Sequence, residues 1–459
     1  MNDWLVMLFL EGDNDLFPFG QNLLNEATSV GSSDRVAIVA QCGPERPGQK
    51  DSTRGPILPG HHETVKIALA SGMANRSHDI SKILDFVEDS IERYEARNRA
   101  LILWDHGNGW QNVHSFDRVV DAVEALKQRR GLYGVPADNG TPPSSEQLFV
   151  SDLRTVLDPD RGIAVVGFDS CLMSMIEVAF QLRETAQFMI ASQHIVPAAR
   201  GWAYEALLRA LTLNSQMNAE ELVRTAVDTF AGSYNGLDNA VTLTGIRLSS
   251  EVDRAVSAID SFSMALLGAI ATSDEDGTDV RTQLAYARRY TQQFGNPDYV
   301  DLYSFCEQIE KRLPDEHRLI RTAEFVMSAI GRLVVRHTRS GAASIDHANG
   351  ISIYFPQTYP GAKLAKAYAQ LDFANTLYCS WSTFLNVLVE GAAVDLDKIA
   401  RRIPSAARAD DMEPQGQYGY CQCAAPARKT SATGVVQMSQ RHPAASAHSH
   451  NGQRKTTTR

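Results

Sequence analysis

Two short segments of this 459-residue chain hold side chains that could do chemistry together. Leu101-Ile-Leu-Trp-Asp-His-Gly-Asn-Gly-Trp110 is an apolar run that stops at His106. Val165-Val-Gly-Phe-Asp-Ser-Cys-Leu-Met173 is another, and it stops at Cys171. Each reads as a buried strand that delivers a reactive group at its end. A thiol and an imidazole on neighbouring strand ends are the minimum apparatus of a cysteine hydrolase.

The flanking residues sharpen this. A helix is expected to begin near Leu172, and the partial positive charge at a helix start favours a thiolate. Asp169, two residues earlier, opposes that effect where it points the same way. Gly107 and Gly109 let the backbone approach a substrate closely. A backbone N–H beside His106 and the N–H of Cys171 could hold a tetrahedral oxyanion, each donor contributing roughly 3–4 kcal/mol. Trp104 and Trp110 would supply apolar walls. The plainer readings are a buried structural cysteine and a hydrogen-bonded structural histidine. The pairing of the two motifs favours chemistry over either.

Positioning these groups requires a sheet. Apolar runs at Trp4–Leu10, Val36–Gln41, Ala100–Trp104, Ile163–Phe168 and Phe188–Ser192 read as buried strands. Helical patterns lie between them, at Phe19–Ala27, over 79–95 and on the face marked by Met173, Ile176 and Phe180. Alternating strands and helices imply an α/β fold with a mainly parallel sheet covered on both faces. Sites in such folds gather beyond the carboxyl ends of the strands, where Asp13, His106 and Cys171 all fall. The second half reads as mostly helical, over 218–233, 250–271, 281–293, 301–312 and 316–337, with strands at Val241–Arg247 and Ile351–Phe355. Helices near 378–390 and 393–402 close the folded part. The expected organisation is a catalytic domain over 1–235, a helix-rich region over 236–403 that completes the fold, and a disordered basic tail over 404–459.

Composition narrows the class. The chain carries a net charge of −10 and 44% hydrophobic residues. Residues 414–459 hold six Lys and Arg and no acid, so the remainder carries −16. An acidic body argues against nucleic acid as the partner. No uninterrupted apolar run reaches about 18 residues, so a membrane span is not expected. The first strand begins almost at Met1, without a basic leader, and runs into Glu11 and Asp13. The six cysteines are widely scattered and suggest no disulfide framework. A cytoplasmic location is the expectation.

Taken together, the motifs resemble the clostripain family of cysteine peptidases, relatives of caspases, gingipains and legumain. Leu10-Glu-Gly-Asp-Asn14 looks like the family's first strand and acidic turn. Trp104–Trp110 resembles its histidine motif, and Gly167–Met173 with Glu177 its cysteine motif. Ala191-Ser-Gln and Gly201-Trp202 resemble its specificity loop. Tyr299-Val-Asp-Leu-Tyr303 and Gly350-Ile-Ser-Ile-Tyr-Phe-Pro356 resemble two later segments. The likeness spans about 3–390. It implies a caspase-like αβα sandwich followed by a helix-rich C-terminal region. It implies Cys171 as nucleophile, His106 as proton donor and then base, and an oxyanion hole of the Gly107 and Cys171 N–H groups. Asp105 would support the site. Asp169, Arg200, Trp202 and Trp110 would line the substrate pocket. The substrate is a peptide or protein. No cofactor is required for the chemistry, although some family members depend on calcium.

One stretch departs from the family. Members cut after Arg or Lys, using an acid in a Pro-Gly-Asp-Gly-Trp-like segment. Here Pro197-Ala-Ala-Arg-Gly-Trp202 puts Arg200 at that position. A guanidinium there would repel basic substrates and suit a carboxylate. The alternative leaves Arg200 in solvent and gives the pocket another acid, such as Glu205. Residues 111–149 interrupt the strand–helix pattern and read as an exposed connection, a place where family members often cut themselves. Lys127, Arg129 and Arg130, or Glu124, Asp138 and Glu146, would be the targets. Asp13 and Asp15 match no EF-hand spacing, and Cys421, Cys423, His442, His448 and His450 match no standard zinc site. Two other functions stay open at this point. One is a catalytically silent peptide binder. The other is a metal-dependent hydrolase using Asp13, Asp15, Asp105, His106 and Asp169.

Overall fold

The computed structural model describes residues 1–10, 16–43, 52–67, 77–113, 153–154, 156–272, 278–341, 343–369, 371–375 and 379–389. The tail over 404–459, the helix expected over 393–402, Asp13, Asp15 and most of the 111–149 connection lie outside the described residues. So do the candidate self-cleavage sites and the tail's cysteines and histidines.

Five parallel strands form the centre: β1 (Asn2–Leu10), β2 (Val36–Cys42), β6 (Ala96–Trp104), β7 (Ile163–Asp169) and β8 (Phe188–Ala191). Their side chains alternate between two cores, as a pleated strand requires. Leu5, Met7 and Phe9 of β1 enter one hydrophobic cluster, while Trp4, Val6, Leu8 and Leu10 enter the other. Both faces of the sheet are therefore covered, which explains why these strands read as unbroken apolar runs.

Antiparallel strands extend the sheet on both sides. On one side β3 (Ser52–Leu58) pairs with β2 and carries the short β4 (His61–His62) and β5 (Val65–Ile67). On the other, β9 (Val241–Arg247) pairs with β8, and β11 (Val334–Ser340) pairs with β9. The resulting order is β11-β9-β8-β7-β6-β1-β2-β3-β4. From β1 the chain builds first toward β2, then returns to add β6, β7 and β8 on the opposite side. That reversal places a topological switch beside β6, and ligand sites favour such switches.

Helices α1 (Phe17–Val30), α2 (Ser77–Arg93), α3 (Ile176–Leu182), α4 (Tyr204–Leu213) and α5 (Ala219–Ser233) are interleaved with the strands. The second half contributes α6 (Ser250–Thr272), α7 (Thr278–Tyr290), α8 (Leu302–Arg312) and α9 (His317–Leu333). Three shorter helices follow: α10 (Ala362–Tyr368), α11 (Asp372–Asn375) and α12 (Trp381–Val389). A separate ribbon pairs β10 (Tyr299–Asp301) with β12 (Ser352–Tyr354). Among the described residues, one helix is long and apolar enough to cross a membrane, over Ser250–Ala271. Ile259, Phe262 and Leu266 of that helix are fully buried, so it serves as a core helix.

The helix expected over 316–337 ends at Leu333, and the chain continues as β11. Gly331 lies two residues before the change, but Val334 and Val335 keep the apolar spacing going, so periodicity alone runs past it. Strand β3 was hidden for the opposite reason. Gly55 and Pro56 are residue types that disfavour a strand, yet they pair with Ala40 and Val39 on the outer flank of the sheet.

Candidate active site

Strands β6 and β7 run parallel with Trp104 opposite Asp169. His106 and Cys171 each follow the end of their strand by two residues. Gly107 closes the remaining space. A Cβ at that position would collide with the carbonyl oxygen of Cys171 and come within 3.0 Å of its nitrogen. Only glycine lets the two backbones meet. His106 itself is exposed, and its N–H donates to Asp105 Oδ1 at 2.7 Å. Asp105 thus braces the turn that carries the imidazole. Among the described residues, neither the Gly107 N–H nor the Cys171 N–H donates to a protein acceptor.

The expected helix start at Leu172 is not found. Helix α3 begins at Ile176, and residues 171–175 form an irregular turn. The reason lies in their backbone partners. Leu172 N–H donates to His194 O at 3.2 Å, and Ser174 N–H to Ser192 O at 2.9 Å. Ser352 N–H donates to Ser174 O at 2.9 Å, and Ser174 Oγ donates to Gly350 O at 2.6 Å. The Ser174 carbonyl is the group a helix from Leu172 would need, and the other bonds hold the chain on a non-helical path beside residues 192–194 and 350. They also hold Leu172 at φ +63°, a conformation costing a leucine about 1–2 kcal/mol. Strain of this kind concentrates at functional sites.

Without a helix N-terminus, the thiol has a different surrounding. Val196 N–H donates to Cys171 Sγ at 3.3 Å, and the thiol reaches back to Val196 O at 3.8 Å. Burial pushes the Cys171 thiol up to about 11; the Val196 N–H pulls it down and the nearby Asp169 adds to the rise.

The later motifs explain themselves as supports of this edge. Tyr299 is fully buried, and its hydroxyl donates to Asn108 O at 2.7 Å, pinning the turn after His106. Asp301 is fully buried and caps α8 by accepting Ser304 N–H at 2.7 Å. The same carboxylate accepts from Gln193 Nε2 at 3.0 Å and from Asn349 N–H at 2.6 Å. These hydrogen bonds partly offset the rise that burial imposes on Asp301. The functional weight of residues 299–301 and 349–352 is not evident from their types. It arises because the β10–β12 ribbon packs against the loops after β7 and β8.

The expected pocket residues are more deeply placed than their spacing suggests. Asp169 is 2% exposed and lies beneath the 200–202 turn. Its Oδ2 accepts Trp202 N–H at 3.2 Å and Tyr204 Oη at 3.0 Å, while among the described residues Oδ1 finds no partner. Burial raises the Asp169 carboxyl to about 7 against the pull of those two bonds, and Glu26 adds to the rise. Gly201, at φ +54°, allows the turn to close, since a Cβ there would sit 2.9 Å from Asp169 Oδ2. Trp202 is 2% exposed and stacks on Tyr204. Trp110 is fully buried between Tyr354 and Tyr368, with ring centroids 5.0 Å away. Both indoles were expected to face substrate, and both are instead packed in the core. Arg200 is exposed, with its guanidinium 5.6 Å from the ring of buried Tyr234. Glu205 is also exposed and pairs with Arg209 at 2.8 Å. Among the described residues, no three His, Cys, Asp or Glu groups are placed to hold a metal ion.

The fold and this edge define a caspase-like αβα peptidase scaffold. The sequence pattern of the clostripain family matches residues 8–387, and the chain belongs to that family. It is therefore a cysteine-type endopeptidase, which displaces both the silent-binder and the metal-hydrolase alternatives. Clostripain from Hathewaya histolytica is 21% identical over 399 residues, covering 78% of this chain and 72% of clostripain. Among solved structures, the secreted C11 cysteine protease iotapain from Bacteroides thetaiotaomicron superposes with a TM-score of 0.57 at 18% identity, covering 82% of this chain and 98% of that one. An inactive zymogen C11 protease from Parabacteroides distasonis gives 0.56 at 16% identity, covering 82% and 97%. Likeness at these identities establishes the fold. The secreted nature of the Bacteroides enzyme runs against the cytoplasmic location expected above, and the location stays an expectation.

Proposed function

We propose that Cys171 is the nucleophile and His106 the acid and base of this endopeptidase. The observation that carries the reading is that each residue follows the paired Trp104 and Asp169 by two positions, with Gly107 set against the Cys171 backbone. Cys171 Sγ, as thiolate, attacks the scissile carbonyl carbon. The carbonyl oxygen becomes an oxyanion held by the Gly107 and Cys171 N–H groups. Collapse breaks the C–N bond, and His106 gives a proton to the leaving amine. Water, losing a proton to His106, then attacks the thioester carbon; the C–S bond breaks, the acid product leaves and Sγ departs as the thiolate. Cys171→Ala and His106→Ala should each lower kcat/KM on a peptide substrate by about a thousandfold or more. Full activity in folded Cys171→Ala would overturn the assignment.

For specificity we propose cleavage after Arg or Lys, with Asp169 as the recognising acid. The support is its spare carboxylate oxygen beneath the 200–202 turn, which a substrate cation would satisfy. Arg200 turns to the Tyr234 ring and to solvent and does not serve as a pocket floor. Peptides ending in Arg, Lys, Asp or Glu decide the matter, and fast cleavage after Asp or Glu would restore the Arg200 reading. Self-cleavage within 111–149 is tested by intact mass of the wild type beside Cys171→Ala. Calcium rests on family resemblance, and activity with and without a chelator tests it.

A further inference from the structure

Among the described residues the thiol has one hydrogen-bond donor, the Val196 N–H, and it sits on a segment with no secondary structure of its own. Val196 follows Ser192–Ile195, which leaves β8 as an irregular strand extension. Side chains from three other elements fix it. Thr242 of β9 accepts Gln193 N–H at 3.0 Å and His194 N–H at 3.2 Å, and its hydroxyl bonds Ser192 Oγ at 3.0 Å. The Gln193 side chain is 1% exposed and reaches the opposite way. Its Nε2 donates to Asp301 Oδ2 at 3.0 Å and to Ser352 Oγ at 3.1 Å, while its Oε1 accepts Gly350 N–H at 2.7 Å. Both the nitrogen and the oxygen of that amide are engaged, and two separate segments, Asp301 and residues 350–352, meet on it.

We propose that Gln193 is a positioning residue for the reaction. It ties the 192–196 segment to Asp301, Ser352 and Gly350 so that the Val196 N–H stays aimed at the attacking sulfur. The inference rests on the reading of Cys171 as nucleophile. Its consequence is specific. The thiolate here lacks a helix N-terminus, so the Val196 N–H is what offsets burial and the charge of Asp169. A hydrogen bond to an ionised sulfur is worth more than one to a neutral thiol, so losing its alignment raises the pH at which the thiolate forms. The titratable groups in the elements packed against the sulfur are Asp169 on its own strand, His106 beyond β6 and His194 on the 192–196 segment.

The test is the pH dependence of iodoacetamide alkylation at Cys171, followed by peptide mass spectrometry on the full chain. Gln193→Met keeps the length of the side chain and removes its hydrogen bonds. The alkylation midpoint should move up by about one unit, with kcat/KM near neutral pH falling about tenfold and KM almost unchanged. Ser352→Ala removes a single acceptor and serves where Gln193→Met does not fold, with a smaller shift of the same sign expected. A folded Gln193→Met or Ser352→Ala protein whose midpoint equals that of the wild type overturns the proposal. Activity of Cys171→Ala is measured in parallel. Its retention would sink the nucleophile assignment, whereas an unmoved midpoint sinks only the role of Gln193.

Discussion

At the residue scale, the site depends on how closely two backbones can approach. Gly107 stands where any Cβ would push into the Cys171 carbonyl. Gly107→Ala must therefore displace the Gly107 and Cys171 N–H groups, the proposed oxyanion donors, relative to the sulfur. Misplacement near 1 Å costs about a hundredfold in rate. The expected result is a kcat/KM loss of that size with the chain still folded by circular dichroism. Asp169 raises a different matter, because one carboxylate both opposes folding and is the proposed recognising acid. Its pKa of about 7 in the folded protein exceeds the ordinary value of 3.8. The folded state then holds more protons between those values, so stability falls as pH rises from about 4 to 7 and is level above. Asp169→Asn keeps an acceptor for Trp202 N–H and Tyr204 Oη and removes the charge. Its melting temperature should decline less across that range than the wild type's. Cleavage after Arg, which needs the ionised acid, should be lost at every pH. A variant that cleaves Arg peptides normally would remove Asp169 from the pocket.

The same residues lie on elements of unequal legibility. The five parallel strands were readable because both faces are buried and the runs are unbroken, so local sequence and tertiary demand agree. The His106 and Cys171 motifs were readable because each ends such a strand. The start of α3 was not, since the bonds that delay it come from residues 192–194 and 350–352. No local pattern in 171–176 encodes those partners. Burial of Trp110 and Trp202 was hidden likewise, because it depends on Tyr354 and Tyr368 in one case and on the α4 start in the other. Tyr299 shows what such distant support does. Its hydroxyl is the strut under the Asn108 carbonyl in the histidine turn. Tyr299→Phe removes the strut and leaves the thiol's surroundings alone. Removing a buried hydrogen-bond donor costs about 1–3 kcal/mol. The variant should show reduced kcat/KM with an unchanged alkylation midpoint at Cys171, the opposite pattern to Gln193→Met.

At the scale of the whole molecule, the described second half is woven into the catalytic sheet. The described residues up to Val389 belong to one compact unit. Strand β9 covers the edge of β8, and β11 covers β9. Thr242, Tyr299, Asp301, Gly350 and Ser352 all brace the loops after β6, β7 and β8. A fragment ending at residue 235 would retain both His106 and Cys171 and lose every one of those braces. It would also leave β8 as a bare hydrophobic edge, open to association with other chains. The expected outcome is a fragment that aggregates or melts without a cooperative transition and hydrolyses no peptide, while a chain ending at residue 403 melts cooperatively and cleaves. Light scattering and a thermal melt on both products check this. A soluble, cooperatively folding, active 1–235 fragment would show that the loops hold the sulfur and imidazole without help from the second half, and would move the origin of the site's geometry back to the β6–β7 pair alone.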